Sequence, residues 1–508
     1  MKEETARESG RWAAVAFLCV AVLVLGMDDS VLNLALPSIS EDFQASTSEL
    51  QWAINAYLLA FAALLLTMGA IGDRLGRKLM FQAGMLLFGL SSLGGALSTS
   101  MGMLIAFRAL MGVGGAIVLP QTLSIIRASF TDQKESARAI AVWAGVFALG
   151  YGIGPVVGGI LLEHFEWRSV FILNIPVAII ASAGGYFWVR ESRDRSVPRL
   201  DLVGVVLSAT GLFSLVYGII EAGRLSWTEG SVIVSLSVGA ALLAIFVRWE
   251  RRSDHPMLPM AFFKNMSFTG ATVPMTLAAL SMGALLFFLS QYFQSVQGYS
   301  PLAAAMRLMP GAVIAFATAL AAAPLAGIMG IKLTVCLGLF VSASGLFCFS
   351  FVTPHTSYLA VVGANILVGG GFGLAWSPAA TSVMGSLPVR RAGIGSAMDA
   401  TTQQVGGVLG VAALGAVLNA IYLDKIGNLE VVHLLPESAR EAIRNSIQSA
   451  HVVAQQFPED VSRLIIDGSS DAFTSGMVEA MLVGGIVMSI AWVVTLFILP
   501  TRIRPARE

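Results

Sequence analysis

The chain has 508 residues, of which 56% are hydrophobic and only 12% charged, about half the charged fraction of an ordinary soluble protein. Its 31 basic and 31 acidic residues cancel, so the overall balance offers no attraction to nucleic acid or to an acidic surface. A mean hydropathy of +0.78 leaves a polytopic membrane protein as the class to develop.

Lys2, Arg7 and Arg11 precede the first apolar run, as in a signal peptide, but that run, Trp12 to Pro37, is too long and is interrupted by Asp28 and Asp29. It reads as a retained span. A charged side chain at the centre of a membrane helix costs roughly 2.5 to 3.5 kcal/mol, so it faces a polar interior and marks an ion, proton or substrate path, or else locks one helix to another. Apolar runs of about 20 residues or more predict fourteen spans. They lie near 12–37, 50–71, 79–99, 102–126, 138–162, 169–189, 202–221, 231–248, 267–293, 302–328, 333–352, 357–386, 393–420 and 476–500. With the N-terminus inside, only Arg168, Arg224, Arg307, Lys425, Arg440, Arg444 and Arg463 fall on the outer face, and Arg108 lies within a span. All other Lys and Arg are then cytoplasmic, as the positive-inside rule asks, and both termini are cytoplasmic.

Between spans 2 and 3 stands GAIGDRLGRK, Gly69 to Lys78. Its glycines, Gly69 and Gly76 among them, permit a tight turn, while Asp73, Arg74, Arg77 and Lys78 can pair with one another or with helix ends. Span 4 carries LIAFRALMGVGGA. Arg108 lies about 11 Å from the outer start of that span, and Asp28 about 13 Å from the outer end of span 1, so the two charges share a depth. Span 5 carries GYGIGPVVGG, where Gly150, Gly154 and Gly158 recur every four residues beside Gly159, so another backbone can approach, and Pro155 favours a bend. In the segment Ile421 to Ser475, Ser438-x-x-Glu441 predicts a capping box, and Ile443, Ile447, Ala450 and Ala454 follow at helical spacing. A short amphipathic helix is expected there, either covering the outer mouth or turning an apolar stripe to lipid.

No Gly-Lys dipeptide occurs, hence no GxxxxGK[ST] phosphate loop, and direct use of ATP is not expected. Cys19, Cys336 and Cys348 sit in apolar runs without metal-site spacing, and no hydrolytic constellation surrounds the five histidines. No catalytic residue, metal or cofactor is assigned.

The Gly69 to Lys78 loop resembles, nearly letter for letter, the signature loop of the major facilitator superfamily, and span 4 resembles that family's arginine motif. GYGIGPVVGG matches the antiporter motif of its drug-export branches, supported by WRSVFILNIP, Trp167 to Pro176. MDDSVLNLALPSI, Met27 to Ile39, resembles the first-span motif of the fourteen-span EmrB/QacA-type drug:proton antiporters, with Asp28 at its acidic position and Asp29 an extra. The resemblance covers nearly the full length and implies an all-α integral membrane fold of two six-helix bundles plus two inserted helices. The expected division is 1–195, an inserted pair and linker at 196–260, and 261–508 with the outer loop 421–475. It implies proton coupling at Asp28 and Arg108 and a conformational latch at Gly69, Asp73, Arg74, Gly76 and Arg77. Two departures stand out. Pro324 to Leu333, the second-half counterpart of the loop, lacks the Asp and most of the basic residues, and Asp399 in span 13 has no family-wide role.

Substrate contacts are expected from aromatic and amide side chains of inner spans: Asn33, Gln51, Trp52, Asn55, Tyr57, Trp143, Phe147, Gln291, Tyr292, Gln294, Asn365, Trp376 and Gln403, each with packing as its competing reading. Asp399, about 12 Å in from the cytoplasmic side with no cation at its depth, is expected to be free to meet a positively charged substrate. The resulting expectation is a proton-coupled multidrug exporter of lipophilic, cationic compounds in the bacterial cytoplasmic membrane. Export of one lipid, metabolite or antibiotic is the transporter alternative, and a passive channel or receptor is the alternative of another class. A monomer is expected, with small amphipathic molecules, protons and the bilayer as partners, and a periplasmic adaptor on loop 421–475 left open.

Overall fold

The computed structural model describes residues 2–130, 132–193, 201–253, 256, 258, 260–386 and 392–501, without the side chains of 2–9, 133, 137 and 392–397. Lys2 and Arg7, used to orient the chain, and Arg391, from which the depth of Asp399 is counted, therefore fall outside the described side chains. The first bundle comprises α1 (Lys2–Phe43), α2 (Thr47–Leu75), α3 (Arg77–Ala96), α4 (Met101–Ser129), α5 (Gln133–His164) and α6 (Ser169–Trp188). Then come α7 (Leu202–Arg224) and α8 (Gly230–Glu250), followed by α9 (Met266–Gln291), α10 (Pro301–Met329), α11 (Ile331–Cys348), α12 (Tyr358–Gly385) and α13 (Ala392–Gly427). Three short helices, α14 (Glu430–His433), α15 (Glu437–Asn445) and α16 (Ile447–Ala454), lead into α17 (Glu459–Ile498). No strand occurs among the described residues. Fourteen helices, α1 to α13 and α17, are long and apolar enough to cross a membrane.

The helices α1 to α6 pack on one another, as do α9 to α13 with α17. The inserted α7 leans on α2 and α13, with Gly223 against Ala416 and Asn419 Nδ2 donating to the Gly223 carbonyl at 3.0 Å, so it spans both bundles from the side. The glycine seam is α1 against α5. A Cβ at Gly150 would stand 2.5 Å from the Leu23 carbonyl oxygen, and one at Gly26 would stand 2.6 Å from that of Phe147. Side-chain-free positions let these two backbones touch.

Contacts between bundles gather at the end that carries residues 428–458. There Ser290 Oγ donates to the Asn33 carbonyl at 2.6 Å, Gln294 Nε2 donates to that of Leu34 at 3.2 Å, and Gly159 of α5 meets Leu302 of α10. Toward the opposite end, which carries the Gly69 to Lys78 turn, α5 and α10 leave Val142, Leu149, Tyr151, Val313, Phe316 and Leu320 exposed. The molecule is thus sealed at one end and parted at the basic one.

The outer segment departs from expectation in two ways. The last span starts at Glu459 rather than 476, because Ile465, Ala472 and Phe473 continue a buried helical stripe back to Pro458. The expected capping box is not formed either: Pro436 occupies the cap of α15, and Ser446 breaks the helix and caps α16 by accepting from the Ser449 amide at 3.2 Å. Ile443, Ile447, Ala450 and Ala454 are buried against the sealed end, so the stripe covers the mouth.

Candidate functional site

Asp28 and Arg108 meet as the shared depth predicts. Arg108 Nη1 lies 2.5 Å from Asp28 Oδ2, and the residues are 2% and 3% exposed. Arg108 Nε donates to the Ala53 carbonyl at 3.1 Å, and the guanidinium covers the Tyr57 ring at 4.4 Å. The other Asp28 oxygen accepts from Asn174 Nδ2 at 3.0 Å, and that amide also reaches Ser92 Oγ at 3.1 Å, which in turn donates to the Phe171 carbonyl at 2.8 Å. Five helices thereby share one buried ion pair, and removing either charge strands the other at a cost of roughly 3 to 5 kcal/mol. Asn174 and Ser92 were missed by sequence reasoning. The signal for Asn174 was an amide inside an otherwise apolar span.

Asp29 points elsewhere. It is half-buried, the Tyr57 hydroxyl hydrogen-bonds its carboxyl, Tyr151 of α5 stands within electrostatic reach, and its Oδ1 has no donor. On the same side of α1, Asn33 sits one turn on and its carbonyl meets α9.

Several expected substrate contacts are engaged elsewhere. Tyr57 is 1% exposed with its ring taken by Arg108, which removes it as a cation-π platform for cargo. Trp52 turns away from the gap to the inserted helix, 5.5 Å from Phe213 and 6.3 Å from Tyr217. Tyr292 is fully buried in a π-helical turn, its hydroxyl donating to the Thr353 carbonyl at 2.7 Å. Asn365 ties α12 to α10 through the Leu308 carbonyl at 3.2 Å. Gln291 and Gln294 are likewise spent at the sealed end, Gln291 accepting from Gln448 Nε2 at 3.2 Å.

Asp399 is hydrogen-bonded on both oxygens. Thr272 Oγ1 donates to its Oδ1 at 3.1 Å and Gln403 Nε2 to its Oδ2 at 2.8 Å, so a residue expected to be free ties α13 to α9 and to its own next turn. Asn55, like Gln51, is wholly buried between α2 and α13 with neither amide atom hydrogen-bonded.

Three aromatic candidates remain partly exposed. Trp143 and Phe147 stack at 6.4 Å and 11°, half-buried, with Trp143 Nε1 donating to Thr122 Oγ1 at 2.9 Å. Trp376, 42% exposed, packs on Phe372 and lines a recess of about 720 Å³ with Ser377, Ala380, Thr381 and Met384.

At the basic end, Arg77 Nε pairs with Asp73 Oδ1 at 2.7 Å across the α2–α3 turn, and Gly76 takes φ +126°, open to glycine at little cost. Arg74 is also engaged. Glu191 accepts from the Lys78 and Leu79 amides at 3.2 Å each, capping α3 from beyond α6, a partner of this turn missed in the sequence because it lies over a hundred residues away. A Cβ at Gly69 would touch Pro120, and one at Gly72 would meet the Gln121 side chain, so α2 and α4 cross closely there. In the seam, Gly154 abuts Ser30 and Met27, Gly158 abuts Val31, and Pro155 is buried inside α5.

The family model described as Major Facilitator Superfamily matches residues 18–411. The chain is 34% identical to the multidrug efflux pump LfrA of Mycolicibacterium smegmatis, with 94% of each chain covered. It is 30% identical to the tetracenomycin C resistance and export protein of Streptomyces glaucescens, covering 96% of this chain and 91% of that one. The crystal structure of a bacterial homologue of the human lysosomal transporter Spinster, in an inward-facing and unoccupied conformation, superposes with a TM-score of 0.66 at 16% identity over 98% and 99% of the two chains.

Proposed function

Because the chain belongs to the Major Facilitator Superfamily, we propose that it is a proton-driven exporter of lipophilic, cationic compounds across the bacterial cytoplasmic membrane. Full-length similarity to a multidrug efflux pump and to an antibiotic export protein supports export. The observation that carries proton coupling is the sealed Asp28–Arg108 pair.

With Asp28 ionised, Arg108 is held and the bundles part at the basic end, which the placement of Lys and Arg assigns to the cytoplasm. Cargo enters there, along the exposed faces of α5 and α10. A proton reaching Asp28 cancels its charge, and Arg108 keeps only the Ala53 carbonyl, the Tyr57 ring and Met111 Sδ at 4.0 Å. That repacks α1 against α2 and α4. The carbonyls of Asn33 and Leu34, which accept from α9, lie within two turns of Asp28, so the change reaches the seal directly. Exchange of one inward proton for one outward monocation moves no net charge, so the pH gradient drives it at about 1.4 kcal/mol per unit, and each further proton per cargo adds about 2.3 kcal/mol per 100 mV. No nucleotide cofactor and no catalytic step is needed, and the chain works as a monomer.

A second reading, export of one specific compound, draws support from the relative named for tetracenomycin C. The deciding experiment measures accumulation of a panel of lipophilic dyes and antibiotics in cells that carry the protein. Reduced accumulation that an uncoupler abolishes supports the proposal. Efflux that survives the uncoupler but stops on ATP depletion defeats it, and activity on one compound alone selects the second reading.

A further inference from the structure

We propose that Asp29 is the residue that selects positively charged cargo, a role that rests on the export reading above. Asp28 and Asp29 are adjacent, yet a helix turns about 100° between them. Asp28 faces Arg108 of α4 and Asn174 of α6, inside the bundle. Asp29 shares its side of α1 with Asn33, whose carbonyl accepts from Ser290 of the other bundle. It therefore sits immediately beneath the seal, at the inner end of the gap.

Its carboxylate is served on one side only. The Tyr57 hydroxyl serves the carboxyl from α2, and Oδ1 is left without a donor. A buried acceptor without a partner is costly, more so when charged. Among the described residues no ion pair reaches Asp29, and Arg108 is already committed to Asp28, the Ala53 carbonyl and the Tyr57 ring. Asp399 is the contrast, with both oxygens supplied by Thr272 and Gln403.

An aromatic row ends beside this carboxylate. Trp143, Phe147 and Tyr151 recur every four residues on one side of α5. The first two stack in parallel, and Tyr151, 46% exposed, ends the row beside Asp29. A flat aromatic body can travel and rest on that row while its positive charge meets Oδ1, which combines π contact with a charge-assisted interaction. The guest this geometry fits is a lipophilic aromatic monocation, and charge, rather than shape, is what Asp29 reads.

Binding by the purified full chain in detergent tests the role without any proton gradient. Ethidium serves as the cation and phenanthridine, the same ring system uncharged at neutral pH, as its neutral counterpart, each measured by equilibrium dialysis. Asp29→Asn should weaken ethidium at least about tenfold while leaving phenanthridine within about twofold, and Asp29→Glu should keep most ethidium affinity. Retained phenanthridine binding certifies the fold of each variant. Unchanged ethidium affinity in Asp29→Asn, or a loss that Asp29→Glu does not repair, would overturn the assignment. So would an unmodified protein that binds no ethidium, a result that would leave proton-driven export of uncharged cargo standing.

Discussion

Asp28 and Asp29 are bonded neighbours that serve opposite sides of α1: one is locked 2.5 Å from Arg108 inside the bundle, and the other keeps an oxygen without a donor beneath the seal between bundles. A paired carboxylate and one with an unpartnered oxygen, one residue apart, are what the proposed exchange of a proton for a cation calls for. The division gives the first prediction.

Arg108→Ala should abolish uphill efflux, because Asp28 would stay buried without its counterion, and the lost ion pair should destabilise the protein by roughly 3 to 5 kcal/mol. Arg108→Lys should restore only part of the activity, since an ammonium cannot serve Asp28, the Ala53 carbonyl and the Tyr57 ring together. Dye extrusion from everted vesicles at matched protein level, with and without an uncoupler, measures both. Full coupled transport by Arg108→Ala would remove the pair from the mechanism.

Asp399→Asn should lower export of cationic and neutral compounds by the same factor, because the side chain ties α13 to α9 through Thr272 rather than greeting cargo. Thr272→Val should reproduce the effect, at a cost of about 1 kcal/mol of stability for the missing donor. A loss confined to cations would return Asp399 to the substrate path.

Within one motif, two glycines should behave oppositely. Gly150→Val places carbon against the Leu23 carbonyl and should prevent α1 and α5 from closing, visible as loss of folded protein in detergent. Gly152 has nothing within 4 Å of a built Cβ, so Gly152→Ala should express and transport normally. Equal tolerance of both would show that the seam is not what the motif maintains.

The α15–α16 segment clasps both bundles at the sealed end. Ser446 Oγ lies 3.1 Å from Ser40 Oγ of α1, and Gln448 Nε2 donates to Ser295 Oγ at 2.9 Å, near the end of α9. If the sealed end must open during transport, a disulfide formed by Ser40→Cys with Ser446→Cys, with Cys19, Cys336 and Cys348 replaced, should stop efflux until reductant is added. Undiminished efflux by the fully crosslinked protein would mean that the clasp rides with α1 throughout the cycle.

Burial lowers the His451 imidazole below its ordinary value of 6.5, and its Nε2 has no partner. The docked state of α16 thus disfavours the proton: its stability is complete above about 6.5 and declines as the pH falls through that range toward the lower folded value. Protection from hydrogen exchange across 437–454, after division by the intrinsic pH dependence of amide exchange, should be lower at pH 5.5 than at 7.5, and His451→Gln should erase the difference.

What the amino-acid order determines by itself is set by local averages and by depth. Twenty apolar residues must span a membrane whatever surrounds them, so the fourteen spans were legible, as was the meeting of Asp28 with Arg108, since two charges at one depth in hydrocarbon have little else to pair with. Direction within a depth is another matter. Tyr57 and Trp52 both lie on α2, but one is roofed by Arg108 and the other is claimed by α7, a helix more than a hundred residues away in the chain. Tyr292 and Asp399 looked available because their partners, Thr353 and Thr272, are polar groups of the same modest kind found throughout the spans. Lipid offers a polar side chain no partner, so whichever neighbour the packing brings near will take it, and only the tertiary structure decides which carboxylate oxygen is left over.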